Sequence, residues 1–243
     1  MDEMISQVIE IMHRNYGSAL TMRDLAEFAA LSPYHFTRKF HRAVGVPPIS
    51  FLTAVRIAQA KRLLLSTSLT VSAITNEVGY SSVGTFTRRF AEYVGMSPAR
   101  YRSSPAAVVT RPGPPAGCEA CTIRGVVDSV PGYPIHLLAV GVFDGPLAQG
   151  PPRQLCTMSG PGPWQLDGIA SGTYYLIAAA AAECWNDHAR GLPVRDPALA
   201  GRTGPVTVRP GTLAGARITL QPWSLSQAPL LFPLPCVTAP GGD

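Results

Sequence analysis

The chain has 243 residues, with 20 Lys and Arg against 15 Asp and Glu for a formal charge of +5, a length suited to one large domain or two ordinary ones. No apolar run reaches the roughly 18 residues that a membrane-spanning helix needs; the longest candidate, Tyr174 to Ala182, is too short. Asp2, Glu3 and Glu10 stand where a signal peptide would be basic, and five cysteines are an odd set for a secreted disulfide framework, so a cytoplasmic protein is expected.

Charge and composition divide the chain. Residues 1–104 hold 12 basic and 7 acidic residues, and residues 105–243 hold 8 of each, so the whole net charge lies in the first part. A local basic excess is the electrostatic footprint of a polyanion partner. The second part holds 18 of the 23 Gly and 20 of the 24 Pro, which argues against long helices there.

In chain order, Met4, Val8, Ile11 and Met12 keep helical spacing and predict a helix over residues 3–15. Thr21 and Asp24 form a short capping box for a second helix, with Leu25, Phe28 and Ala29 as its buried stripe. Ser32 and Pro33 supply an N-cap and a first-turn proline for a third helix, in which Phe36, Phe40 and Val44 share a face and Gly45 is the stop. After Pro47-Pro48, Ser50 is the expected cap of a longer helix to about Leu65, lined by Phe51, Val55, Ala58 and Leu65 with Leu52, Leu63 and Leu64 adding to it, and roughly 22 Å long. Thr70 caps the next helix, with Ile74 and Val78 inward. Ser82 opens a helix over Val83 to Val94, and Ser97-Pro98 a last short one.

One segment of this region occurs twice. Phe36-Thr37-Arg38-Lys39-Phe40 and Gly45 return as Phe86-Thr87-Arg88-Arg89-Phe90 and Gly95, offset by 50 residues throughout. A helix, a tight turn and a second, basic amphipathic helix is a helix-turn-helix pattern, whose second helix fits a major groove about 12 Å wide. Two copies suit two sites on one periodic ligand, and DNA is the expected one. Arg38 and Arg88 lie between the core phenylalanines and project outward. Arginine can bond guanine O6 and N7 with two donors. Tyr34, Thr37 and Thr87 can add hydrogen bonds or meet a thymine methyl.

At these residues residues 5–102 resemble the tandem helix-turn-helix domain of the AraC/XylS family of bacterial transcription regulators. Leu25-Ala26, Ala30-Leu31-Ser32, Phe36, Arg38 and Phe40 carry the first half, and Arg56, Ala60 and Leu63-Leu64 the connecting helix. Ile74, Val78-Gly79-Tyr80, Phe86, Arg88, Phe90 and the run Gly95 to Arg102 carry the second. The resemblance implies base contacts at Tyr34, Thr37 and Arg38 in the first reading helix and at Val83, Gly84, Thr87 and Arg88 in the second. It places backbone contacts at His35, Arg42 and Arg89 and at the amides of Ser32 and Ser82. Thr75 stands where the family has a small Ala at a helix crossing, a bulk the crossing either tolerates or answers with looser packing. Val83 and Gly84 carry no polar group, so the second helix is expected to contribute less sequence information.

A Pro/Gly/Ala-rich linker follows, over 105–117. Beyond it, short strands are predicted at Thr122–Val127, Pro134–Phe143, Tyr174–Ala179, Pro205–Val208 and Ala216–Leu220, in an antiparallel β-sandwich or barrel. The stretch from Trp164 through Gly172 to Ala179, with Gly204–Val208 and Ala216–Leu220, resembles carboxypeptidase regulatory-like (transthyretin-like) β-sandwich domains. That resemblance implies a structural or binding module without a catalytic motif. The expected organisation is an all-α tandem helix-turn-helix domain over 1–104, an all-β sandwich over 118–225 and a Pro-rich tail over 226–243.

Cys118 and Cys121 have metal-ligand spacing, and Cys184 with His188 could complete a zinc set. The bland alternative is free thiols in a linker and at a strand edge, and no metal or other cofactor is expected. Trp164, Trp185, Tyr174 and Tyr175 read as sandwich core or surface before pocket lining. The resemblance implies double-stranded DNA and RNA polymerase as partners, with a small-molecule effector and a second copy of the chain as further ones, and no membrane. Most members of the family carry the DNA-binding part after the sensor; here it comes first. Two rivals are an architectural DNA binder without sequence preference and an alkyl-transfer repair enzyme. The enzyme needs a Pro-Cys-His-Arg nucleophile, whereas this chain has Pro235-Cys236-Val237.

Overall fold

The computed structural model describes residues 2–103, 121–135, 137–181, 199–210 and 213–229. They form a helical unit and a β-rich unit.

The helical unit opens with α1 (Glu3–Arg14), capped by the Asp2 carboxylate on Met4 N, with Ile5, Val8, Ile9 and Met12 buried. The buried face is therefore turned from the expected stripe, and Met4 and Ile11 are only half-buried. The capping box of Thr21 and Asp24 starts α2 (Met22–Phe28) as expected. Its buried residues are Leu25, Ala26 and, just past its end, Ala29, whereas Phe28 is 57% exposed. At 100° per residue Phe28 sits roughly 100° from the centre of that face, so the small Ala26 packs inward in its place.

Ser32 and the left-handed Gly45 bound α3 (Pro33–Val44). The connecting helix α4 (Pro48–Ser66) starts before Ser50, the expected cap: Pro47 is the cap residue, without a side-chain bond, and Pro48 sits in the first turn. A proline there forfeits only an N–H that has no helical partner. The 19 residues of α4 span about 28 Å. Its buried residues include Phe51, Val55, Ile57, Ala60 and Leu64, whereas Ala58 and Leu65 of the expected lining are half-buried. Thr70 caps α5 (Val71–Glu77), Ser82 caps α6 (Val83–Val94) before the left-handed Gly95, and α7 (Pro98–Ser103) closes the series.

The repeat extends beyond α3 and α6. Phe36 and Phe40 stack with centroids 5.6 Å apart, Phe86 and Phe90 with 5.7 Å. Phe40 then meets Phe51, and Phe90 meets Tyr101, each at 5.7 Å. The two helix turns match as well, with Ala30 at φ 51° and Gly79 at φ 80°. Thr75 is fully buried, and its hydroxyl donates to Val71 O at 2.8 Å, which satisfies its polar group inside the core. From Ser224 on, the described residues group with this unit. His13 Nε2 donates to Leu225 O at 3.2 Å, and Ala228 is buried.

The β-rich unit has two sheets. One has the order β4-β1-β7, from β1 (Cys121–Asp128), β4 (Gly162–Ile169) and β7 (Leu213–Thr219). The other has the order β3-β2-β5-β6-β8, from β2 (Leu137–Phe143), β3 (Leu155–Met158), β5 (Gly172–Ala181), β6 (Leu199–Val208) and β8 (Gln221–Pro222). Both feed one buried cluster that includes Ile123, Val140, Trp164, Leu166, Tyr174, Leu176 and Ile218. The expectation of purely antiparallel pairing is corrected at one place: β1 and β7 run parallel, Ile123 opposite Ala214. A hairpin cannot join parallel strands, and here most of the second sheet lies between them in the chain. Among the described residues no single helix is long and apolar enough to cross a membrane.

Candidate nucleic-acid interface

The packing frame leaves one side of α3 to solvent. Tyr34, His35, Arg38, Lys39 and Arg42 are exposed there, while Phe36 and Phe40 point inward. Tyr34 and Arg38, one turn apart, hold each other: Arg38 Nη1 donates to the Tyr34 hydroxyl at 3.3 Å, and the guanidinium lies 5.6 Å from the ring centroid. Such a contact restricts a long side chain before any ligand arrives. His35 Nδ1 lies 3.1 Å from Ser32 Oγ, which also accepts from His35 N at 3.4 Å as the helix cap.

Two α3 residues are already engaged. Thr37 is half-buried, and its hydroxyl donates to Pro33 O at 2.7 Å beside Met22 Sδ at 3.7 Å. Its hydroxyl is therefore bonded within α3, with Met22 of α2 beside it. Lys39 pairs with Asp2 at 2.8 Å, and the Lys39 ammonium holds that carboxyl below its usual range.

The matching side of α6 is poorer in polar groups. Val83 is 42% exposed, and Gly84, Arg88 and Arg89 are exposed, with Thr87 half-buried. A Cβ added at Gly84 would have only Ser82 Oγ near it, at 3.8 Å, so the surface there is open. Arg89 Nη1 is paired with Glu92 Oε2 at 2.9 Å, which offsets its charge. Ser82 Oγ caps the helix by accepting from Thr85 N at 3.4 Å. Arg88 thus carries the exposed positive charge in the middle of this face, at the position Arg38 holds in the first copy.

The spacing of the arginines is visible in the chain, and so is the four-residue step from Tyr34 to Arg38 that pairs them. Missing from the sequence reading are the roles of Arg56, Tyr80 and Arg102, which tie the frame together. Arg102 Nε and Nη2 donate to Leu64 O and Leu69 O, at 3.1 and 2.5 Å.

Of the candidate zinc set only Cys121 lies among the described residues, where no group of three or more His, Cys, Asp or Glu could hold a metal. Cys121 is buried in the β cluster with Ile123 and Trp164. Cys118, Cys184 and His188 lie outside the described residues, as do Trp185 and the 105–117 linker. Trp164 and Tyr174 are core residues of the β unit.

Residues 25–104 match the family model described as a helix-turn-helix domain. The chain is 33% identical over 104 residues to a putative AraC-like transcription regulator of Streptomyces lividans, covering 43% of this chain and 34% of that protein. It is 30% identical over 100 residues to the bifunctional transcriptional activator/DNA repair enzyme AdaA of Bacillus subtilis, covering 41% of this chain and 47% of that one. These alignments therefore span between a third and a half of the relatives' lengths. Among solved structures, the DNA-binding domain of the global transcriptional factor AdpA, in complex with a target DNA, is 26% identical with a TM-score of 0.41, covering 42% of this chain and 93% of that one. The described helices α3–α7 lie within the residues that the family model matches, so this part of the chain is a helix-turn-helix domain, similar in sequence to the AraC-like regulator.

Proposed function

We propose that the protein is a sequence-specific transcription regulator of AraC/XylS type, acting in the cytoplasm, whose α3 and α6 enter successive major grooves on one face of a promoter. The observation that carries this reading is the duplicated frame, which presents Arg38 and Arg88 outward from equivalent positions above buried phenylalanine pairs. The connecting helix, about 28 Å long, is of the same order as the ~34 Å between successive grooves on one DNA face. Tyr34 and Arg38 read bases from α3, with the Thr37 methyl beside them. Arg88 and Thr87 read from α6, where Val83 and Gly84 offer shape alone. His35, Arg42 and the cap amides of Ser32 and Ser82 hold the phosphate backbone, and Arg89 joins them by exchanging Glu92 for a phosphate.

The β unit is a sandwich of the carboxypeptidase regulatory-like kind in this reading, supported by its two sheets around one cluster. It senses a small-molecule effector, holds a second copy of the chain or contacts another protein. RNA polymerase is the partner at the promoter, and the protein is not an enzyme.

Arg38→Ala tests the reading. Loss of a two-donor base contact should cost about 1–3 kcal/mol of specific binding and relax one base position. Titration of the variant against a panel of single-base site variants at one stated salt measures it. A loss equal for every sequence would make Arg38 a phosphate contact.

A further inference from the structure

Two reading helices give a spacing preference only if the units that carry them are held rigidly. Within the helical unit, a second contact besides α4 joins the two halves. The loop after α1 meets the turn after α5 main chain to main chain: a Cβ added at Gly17 would lie 2.6 Å from Glu77 O, and one at Gly79 would lie 2.8 Å from Tyr16 O. Arg56, on α4, sits at this junction. Its Nε donates to Tyr16 O at 2.8 Å and its Nη2 to Ser18 O at 2.7 Å. Its guanidinium also lies 5.7 Å from the Tyr80 ring centroid. Tyr80 in turn packs on Phe86 of α6 with ring centroids 5.6 Å apart. One side chain therefore touches the first half, the connecting helix and the turn that starts the second reading helix.

We propose that Arg56 is a positioning residue that locks α6 relative to α3 and so sets the half-site spacing that the protein accepts. This rests on the DNA-reading function proposed above. A planar fork suits the task, because it bonds two carbonyls of one loop while its face lies on an aromatic ring. Lysine keeps the charge but cannot do both. Arg102 is the natural control, since it bonds two carbonyls, Leu64 O and Leu69 O, at the far end of α4 and does not reach the junction.

The test uses the full chain and duplexes whose two half-sites stand about one helical turn apart, or one base pair nearer or farther. Wild type and Arg102→Ala are expected to prefer one spacing by ~10-fold or more, the size of a coupling above 1.4 kcal/mol. Arg56→Ala and Arg56→Lys are expected to accept all three spacings within ~3-fold while binding a single half-site as wild type does. In the free protein, spin labels on genetically encoded ketone residues at Ala43 and Thr85 report the distance between the two helices. Its distribution is expected to broaden in Arg56→Ala and to stay narrow in Arg102→Ala. An Arg56→Ala protein that keeps its helical circular dichroism, its spacing preference and a narrow distribution would overturn the proposal. Should wild type bind no duplex selectively, the DNA-reading function fails, and the distance measurement decides the positioning role alone.

Discussion

Phe40→Ala is expected to destabilise the helical unit by about 3–5 kcal/mol, the range for an aromatic side chain truncated in a packed core. Phe40 is fully buried and bridges two elements: its ring meets Phe36 of α3 at 5.6 Å and Phe51 of α4 at 5.7 Å. Neither neighbour can collapse into the gap without moving a helix that the other ring holds. The same loss is expected for Phe90→Ala, whose ring meets Phe86 and Tyr101 in the second copy. Urea unfolding followed by far-ultraviolet circular dichroism reports on this unit, because the described helices lie there. A cost under ~1 kcal/mol at Phe40 would contradict the packing described.

Gly79→Ala is the second large effect, an expected cost of about 2–4 kcal/mol. Two penalties add. At φ 80° a Cβ is strained by roughly 1–2 kcal/mol. That Cβ would also stand 2.8 Å from Tyr16 O, a backbone atom that no rotamer change removes. The equivalent turn of the first copy has Ala30 at φ 51° and exposed, so the reciprocal change Ala30→Gly is expected to stabilise by up to ~1 kcal/mol. The same unfolding experiment reads both, and equal signs would refute the left-handed assignment of the turns.

The helical unit was largely legible in the chain because its signals are local. Thr21, Ser32, Thr70 and Ser82 each supply the cap hydroxyl that starts a helix, and Gly45 and Gly95 supply left-handed stops. Legibility failed where a choice depends on a neighbour. Pro47-Pro48 resembles a loop but begins α4, and Phe28 resembles core but yields the inner face to Ala26. In the β unit, β2 was legible as a strand within Pro134–Phe143, although all seven of its residues are buried and it lacks the alternation of a half-buried strand. The parallel pairing of β1 with β7 leaves no trace in the chain, since it depends on how two sheets are threaded. On the outward faces of α3 and α6 the exposed arginines were legible but the engagements of their neighbours were not. Thr37 turns its hydroxyl to Pro33 O, and Arg89 takes Glu92 as partner.

Those engagements sharpen an asymmetry between two helices built on one frame. α3 exposes Tyr34, His35, Arg38 and Arg42, whereas α6 exposes Arg88 beside an apolar Val83 and an open Gly84. Selection of bound duplexes from a random pool, at a stated salt concentration, tests the central claim most directly. The expected result is two blocks of enriched bases centred about 10–10.5 base pairs apart, the block contacted by α3 holding more information than the block contacted by α6. Arg38→Ala should blur the stronger block, which assigns it to α3. Equal affinity for random and selected duplexes would contradict the account and leave an architectural DNA binder in its place.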